Sequence, residues 1–499
     1  MFSSKKLLLS VGAGLLMSCG ADTSSGNIKQ EPDRAEIRSL GQSVLADCPY
    51  TSPVINLDKE LVVRDLTVVN DKCRTEFNGT GCVSTPSKGK WSFVYLMSQI
   101  AGNTDAAGTS EFILKWLNTW KVDQIVNGHL VQPRHNIDKV INAWRSASAC
   151  SSTGPCILNF NEAPFRLLAI VNRIDLSGTA AYGTSPTDNP GELRFVFGFI
   201  DRSKISNPDP SVKNGALSAT VILEYKLTPH MDTFGWADVW HRLALKSGED
   251  YNSALENLTN KVTTYNTSMI PGGSALAQLR TNELEFDSAS LSSRVWELRE
   301  MKRQCTPAPC ILRLDTVKET PDIRYNNGGL PGTPYEGALD AYLLANQAKI
   351  DHEDLSTLPA SMLGGASRSR GPLGSQFTWT LSTTAESNYE DQGGGFKMLT
   401  RHKFGLQTCN GCHYAETGTV NFHIGPRAIL TKAPLSQFVA PSDALASSAD
   451  SHFPANFFEF ADPRSGEPRQ YNDAWRRKCE FQRLLNFGSI PLFKPSGAH

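Results

Sequence analysis

The chain has 499 residues, 40% of them hydrophobic, enough to bury a large core and to build two or three domains. Lys and Arg number 49 against 50 Asp and Glu, so no charge excess steers it onto nucleic acid. After the N-terminal stretch no apolar run reaches the ~20 residues of a membrane-spanning helix, and there is no Gly-rich phosphate loop, nucleophile elbow or zinc-protease helix motif.

In chain order, Lys5 and Lys6 precede an apolar stretch from Leu7 to Met17 that is too short to span a bilayer and has the form of a signal h-region. Leu16-Met17-Ser18-Cys19 resembles the lipobox of bacterial lipoproteins. That resemblance implies removal of residues 1–18, lipidation of Cys19, and a protein held in the bacterial cell envelope by its lipid, at the outer membrane given Gly20. The alternative is an ordinary signal peptide with an incidental cysteine. Residues 19–47 are rich in Ser, Gly and Asp and read as a flexible tether.

The body is expected over residues 48–363. It opens with helical patterns at Trp91 to Met97, Phe112 to Leu117, and Ile137, Val140, Ile141 and Trp144, the last four on one helix face. Apolar runs rich in β-branched and aromatic residues follow, Phe165 to Ile174, Leu193 to Ile200 and Ala219 to Tyr225, and predict neighbouring strands of a mainly antiparallel sheet. Helices are predicted again from Trp236 to Val262, over Arg294 to Arg303, and from Gly337 to Ile350. The fold class is α+β: a large mixed body with a mainly antiparallel sheet, plus a small, mostly helical C-terminal segment. Nothing in this body names a substrate or a hydrolase or transferase activity.

Residues 364–395 read as a Gly-rich linker, and residues 396–499 as a separate small segment. Met398, Leu399, Phe404 and Leu406 fit a short helix leading into Cys409-Asn410-Gly411-Cys412-His413. That pentapeptide is C-x-x-C-H, the attachment pattern for covalent haem c: two thiols on one turn add to the haem vinyl groups, and the next imidazole is held under the iron. Helix and pentapeptide together resemble the start of a c-type cytochrome domain. The resemblance implies one haem c, with Cys409 and Cys412 as anchors, His413 as proximal ligand, and electron transfer with a redox partner protein.

The sequence departs from that family in one respect, since no methionine follows His413 to serve as the second axial ligand. His423 is the first candidate, ten residues on, because such a span reaches up to ~33–36 Å. His452 and an open sixth position are the alternatives. Glu416 and Arg427 lie near enough to touch a ligand or a propionate, or to be surface residues. Met398 and His402 belong to the motif's own helix and cannot easily cross to the far face. Two non-haem readings stand beside these. Cys409 and Cys412 form a disulfide in an envelope-binding or structural lipoprotein, or Cys409, Cys412, His413 and His423 hold zinc, against which the adjacency of Cys412 and His413 counts. Asp351-His352-Glu353-Asp354 gathers ligand types on consecutive residues and reads as a solvated helix end, and His230 and His241 read as structural.

Of 11 cysteines, lipid would take one and haem two, leaving an even remainder suited to disulfides in an oxidising compartment. Turn-like segments separate Cys73 from Cys82, Cys150 from Cys156, and Cys305 from Cys310, and elimination pairs Cys48 with Cys479. Small loops of this kind are stabilised by about 2–3 kcal/mol each in the chain-entropy account.

Overall fold

The computed structural model describes residues 50–79, 82, 89–134, 137–177, 190–202, 215–227, 231–266, 274–284, 295–351, 358–369, 377–382, 398–441 and 457–488. Leu45–His499 make one compact unit. The class is mixed α and β, built on an antiparallel eight-stranded sheet. Its strands are β1 (Val62–Val63), β2 (Phe165–Arg173), β3 (Glu192–Ile200), β4 (Ala216–Lys226), β5 (Leu276–Leu284), β6 (Trp296–Gln304), β7 (Ile311–Asp315) and β8 (Ser367–Arg368). Spatial order is β1-β2-β3-β4-β5-β6-β8, with β7 also paired to β6.

Period-2 patterning divides the sheet into two unlike faces. On β3 the residues Leu193, Phe195, Phe197 and Phe199 share one face, and antiparallel register adds Tyr225, Leu223 and Val221 of β4 and Leu279 of β5. Helices α1 (Phe93–Ile100) and α2 (Ala106–Asn118) pack on this apolar side. Phe93 stacks on Phe165 at 3.7 Å, and the Trp116 indole donates to Met301 Sδ at 3.2 Å. Each fully buried aromatic of this kind stabilises by roughly 1.5–3 kcal/mol. Helix α3 (Ile137–Ala147) buries Ile137, Val140, Ile141 and Trp144, the stripe its spacing predicts.

The opposite face is polar yet enclosed. Register aligns Arg194 with Glu224, Glu224 with Gln278, and Arg280 with Glu300, and all five residues are at most 5% exposed. Charge alternating with bulky apolar residues in a strand is the pattern of a sheet covered on both sides by different chemistry. The cover on this side comes from the C-terminal third of the chain.

The long predicted helix from Trp236 to Val262 is two helices, α4 (Thr233–Ala244) and α5 (Gly248–Thr263), separated at Leu245 and Ser247, where their caps meet. Arg294 to Arg303 is not helical: its described part belongs to β6, whose helix-favouring Glu, Leu, Arg and Met are overridden by pairing with β5 and β7. Within Gly337 to Ile350, α6 (Ala338–Ala345) is followed by a short turn of helix at Gln347–Asp351. The stretch read as a linker contributes β8 to the sheet edge, and a Cβ on Gly365 would come within 2.5 Å of Val131. Its described residues are thus built into the body.

Beyond it come α7 (Met398–Gln407), a π-helical turn at Gly411–Ala415, an irregular stretch to residue 441, a two-stranded ribbon (Phe458–Ala461 with Pro468–Tyr471), and α8 (Asp473–Phe487). Gly425-Pro426 and Pro434 punctuate the irregular stretch and account for its lack of helix. Disulfides join Cys73 to Cys82, Cys150 to Cys156 and Cys305 to Cys310. Cys479 is also disulfide-bonded. Cys19, Cys48, His230, His352, Glu353, Asp354 and His452 lie outside the described residues.

Candidate functional site around the C-x-x-C-H turn

The pentapeptide is embedded, not displayed. Thr408 Oγ1 donates to Gly405 O at 2.6 Å and accepts from Gly411 N at 3.1 Å and from the Trp379 indole at 2.9 Å, which winds the chain tightly into the turn. Cys409 N donates to Thr320 Oγ1 at 2.9 Å, and Asn410 Nδ2 to Arg368 O at 3.2 Å. Gly411 is required here on steric grounds. A Cβ at this position would stand 1.8 Å from Gly405 O.

Neither motif cysteine is in a disulfide, and both are fully buried. Cys409 packs with Trp296, Leu298 and Val317, whereas Cys412 joins the main core. Burial pushes the Cys409 thiol up to about 11 and the Cys412 thiol well above its ordinary value, so both are protonated at neutral pH.

His413 lies against Trp296, ring centroids 5.0 Å apart and planes 21° from parallel. Its Nδ1 is 3.1 Å from Asn421 O, an atom that can only accept, so Nδ1 carries the proton. Burial pulls the imidazole down to about 4, with Arg280 and Arg194 adding to the effect, and the ring is therefore neutral at pH 7. A neutral ring protonated at Nδ1 leaves the Nε2 lone pair as the ligand atom, and a carbonyl on Nδ1–H is the usual support for a metal-binding histidine.

His423 sits beside the motif. Its Nε2 is 3.1 Å from Cys412 Sγ, its Nδ1 is 2.9 Å from Ser436 Oγ, and its ring centroid is 4.2 Å from that of His413. Rings this close leave no room for a macrocycle between them. Coordination of one iron by both imidazoles therefore requires the His423 ring to withdraw from Cys412.

A cavity of about 60 Å³ opens between these two histidines and the polar face of the sheet. Its walls include Val62, Val171, Val196, Ile222, Ile424 and Phe438, with Arg173, Arg194, Arg280, Arg477 and Glu224 among them. Such a space holds several waters. A porphyrin is larger, so haem would enter only with the cover between His413 and Val439 held off the sheet. The motif's side chains are two thiols outside any disulfide and a neutral imidazole protonated at Nδ1, the types that a haem c attachment site would use.

The surroundings depart from the residue-by-residue expectations. Glu416 is wholly buried: its carboxylate accepts from Arg401 Nη1 and Nη2 at 2.6 and 2.9 Å and lies 2.8 Å from His402 Nδ1. Arg401 Nη2 also reaches Asp462 at 2.9 Å, and Tyr471 Oη lies 2.9 Å from His402 Nε2. Burial opposes ionisation of Asp462, but Arg401 and the Arg464 and Ser465 amides hold its carboxyl below the ordinary value. His402, Glu416 and Asp462 are the one His, Cys, Asp or Glu group among the described residues whose ligand atoms converge within 4.8 Å. Arg401 already supplies the cation there, and Cys409, Cys412, His413 and His423 do not form such a group.

Arg427 is buried, not exposed, and its donors go to backbone oxygens of Leu167, Val69, Ile429 and neighbours and to Asn70 Oδ1. Burial, with Arg166 nearby, pulls its guanidinium down to about 9. His241 pairs with Glu60 at 2.8 Å, and Asp351 accepts from Thr400 Oγ1 at 2.7 Å. The cavity arginines were not singled out from sequence, although Arg194 and Arg280 alternate with apolar neighbours in their strands. Comparison with protein-family models, curated proteins and solved structures finds no match for this chain.

Proposed function

We propose that this chain is an envelope lipoprotein that carries one haem c, bound through Cys409 and Cys412 with His413 as proximal ligand, and passes electrons to a redox partner. The observation that carries the reading is selective: the other described cysteines are disulfide-bonded, while the two cysteines of the C-x-x-C-H are not. Bound haem would supply a one-electron centre. The chain's own part is to hold His413 in the Nδ1–H tautomer through Asn421 O, to fix its plane on Trp296, and to keep bulk water away. His423 is the nearest candidate for the sixth position, and it has to leave Cys412 to take it. Lipid anchoring through Cys19 belongs to the same proposal.

Expression with haem-maturation machinery tests this. A Soret band and haem mass that survives denaturation are expected in the native chain, and both should vanish in the Cys409→Ala, Cys412→Ala double variant. Retention of both signals in the variant, or absence of both from the native chain, sinks the reading. The small cavity favours a second reading, a non-haem envelope-binding lipoprotein with a Cys409–Cys412 disulfide. That reading requires no alkylatable thiol from the motif after unfolding.

A further inference from the structure

We propose that the cavity facing His413 is a binding site for a small carboxylate-type oxyanion, received by Arg173, Arg194, Arg280 and Arg477. Among the described residues these four guanidinium groups line it, against one carboxylate, that of Glu224. Their partners Asp175, Glu192, Glu300 and Asp473 are not part of the lining. Among the described lining residues guanidinium groups thus outnumber carboxylates, in a wall that is otherwise largely apolar, although the wider network contains matching carboxylates.

Hydrogen-bonding capacity is left over at this wall. Arg173, 1% exposed, spends Nε and Nη2 on Asp175 at 2.9 and 3.1 Å, and its buried Nη1 has no partner among the described residues. Arg477, 6% exposed, pairs through Nη2 with Asp473 at 2.5 Å, and its Nε has none either. Buried donors in native proteins are almost always satisfied, so unfilled guanidinium nitrogens beside a cavity call for an acceptor in it. A carboxylate offers two acceptor oxygens in the plane that a guanidinium fork matches. The volume of about 60 Å³ sets the size, room for a group such as formate or acetate and too little for a large ligand.

The same chemistry has two sources: a free small anion, or a propionate of a haem held by the motif. The second rests on the haem reading, and the first does not. Full-length protein is therefore prepared with and without haem maturation, its haem content fixed by mass, and titrated with ¹³C-formate against chloride at matched ionic strength. Saturable binding is expected in the haem-free form, weakened at least tenfold by Arg477→Gln. It should also be abolished by Ile222→Phe, which fills the cavity without removing a charge, with circular dichroism reporting that each variant is folded. Loss of formate binding on haem loading assigns the site to a propionate, and binding in both forms assigns it to a free anion. No saturable formate binding in the haem-free form, or equal binding by native and folded variant proteins, overturns the proposal and leaves the cavity to water. A chain that never acquires haem refutes the haem reading and leaves the haem-free arm to decide this one.

Discussion

Glu416→Gln separates the buried ion cluster behind the motif from ordinary packing. The native carboxylate takes three contacts from cationic or potentially cationic groups, at 2.6, 2.9 and 2.8 Å, and Arg401, His402 and Glu416 are at most 4% exposed. A glutamine keeps the shape but turns one acceptor oxygen into an NH₂ donor, which must then face Arg401 or His402. Breaking a buried pair in this way typically costs 3–5 kcal/mol. Asp462 still accepts from Arg401, so about 3 kcal/mol is expected. Urea unfolding with an unchanged m-value reads the loss, and hydrogen exchange should show it concentrated in α7 and the 458–471 ribbon. The apolar double replacement Arg401→Met, Glu416→Leu should cost less than the sum of its single changes, because the Arg401–Glu416 pair is then removed whole, although Asp462 still loses its Arg401 contact. A Glu416→Gln loss below about 1 kcal/mol, or strict additivity in the double variant, refutes the electrostatic account.

Three further outcomes follow from the geometry. Gly411→Ala forces a Cβ against Gly405 O, and should cost about 1–3 kcal/mol or more and reduce haem loading; a native melting curve argues against the packed turn. Burial raises the Glu60 carboxyl from 4.5 to about 7 despite the Asn56 amide and His241, so its stabilising contribution is full below pH 4.5 and lost as pH rises through 7. That amounts to about 3 kcal/mol, which Glu60→Gln should remove from the pH dependence of unfolding, and an identical slope in the variant would count against it. In haem-free protein, Cys409 and Cys412 should resist iodoacetamide until the chain unfolds and then both react, as alkylated mass will report; rapid labelling of the native state contradicts their burial.

The central strands were legible because Phe165 to Ile174 and Leu193 to Ile200 are β-branched and aromatic runs with no competing helical period. β6 was not, because Trp296-Glu-Leu-Arg-Glu-Met is locally helix-favouring and becomes a strand only through partners on both sides. The pentapeptide was visible because its chemistry depends on spacing alone. Its environment was hidden for the opposite reason. Trp296 and Thr320 reach it through tertiary contact, and no local pattern distinguishes a Glu416 buried against Arg401 from an exposed one.

Arg427 fastens the irregular cover to residues that precede it by 358 and 260 positions, Val69 and Leu167. Contacts so distant along the chain are among the slowest to form. The cover over the motif is complete only once this clasp has shut. Time thus enters the design. Until it shuts, Cys409 and Cys412 stand on a segment that is not yet sealed against the sheet. Chemistry that must reach those thiols has that interval to do so, before the finished fold seals them in.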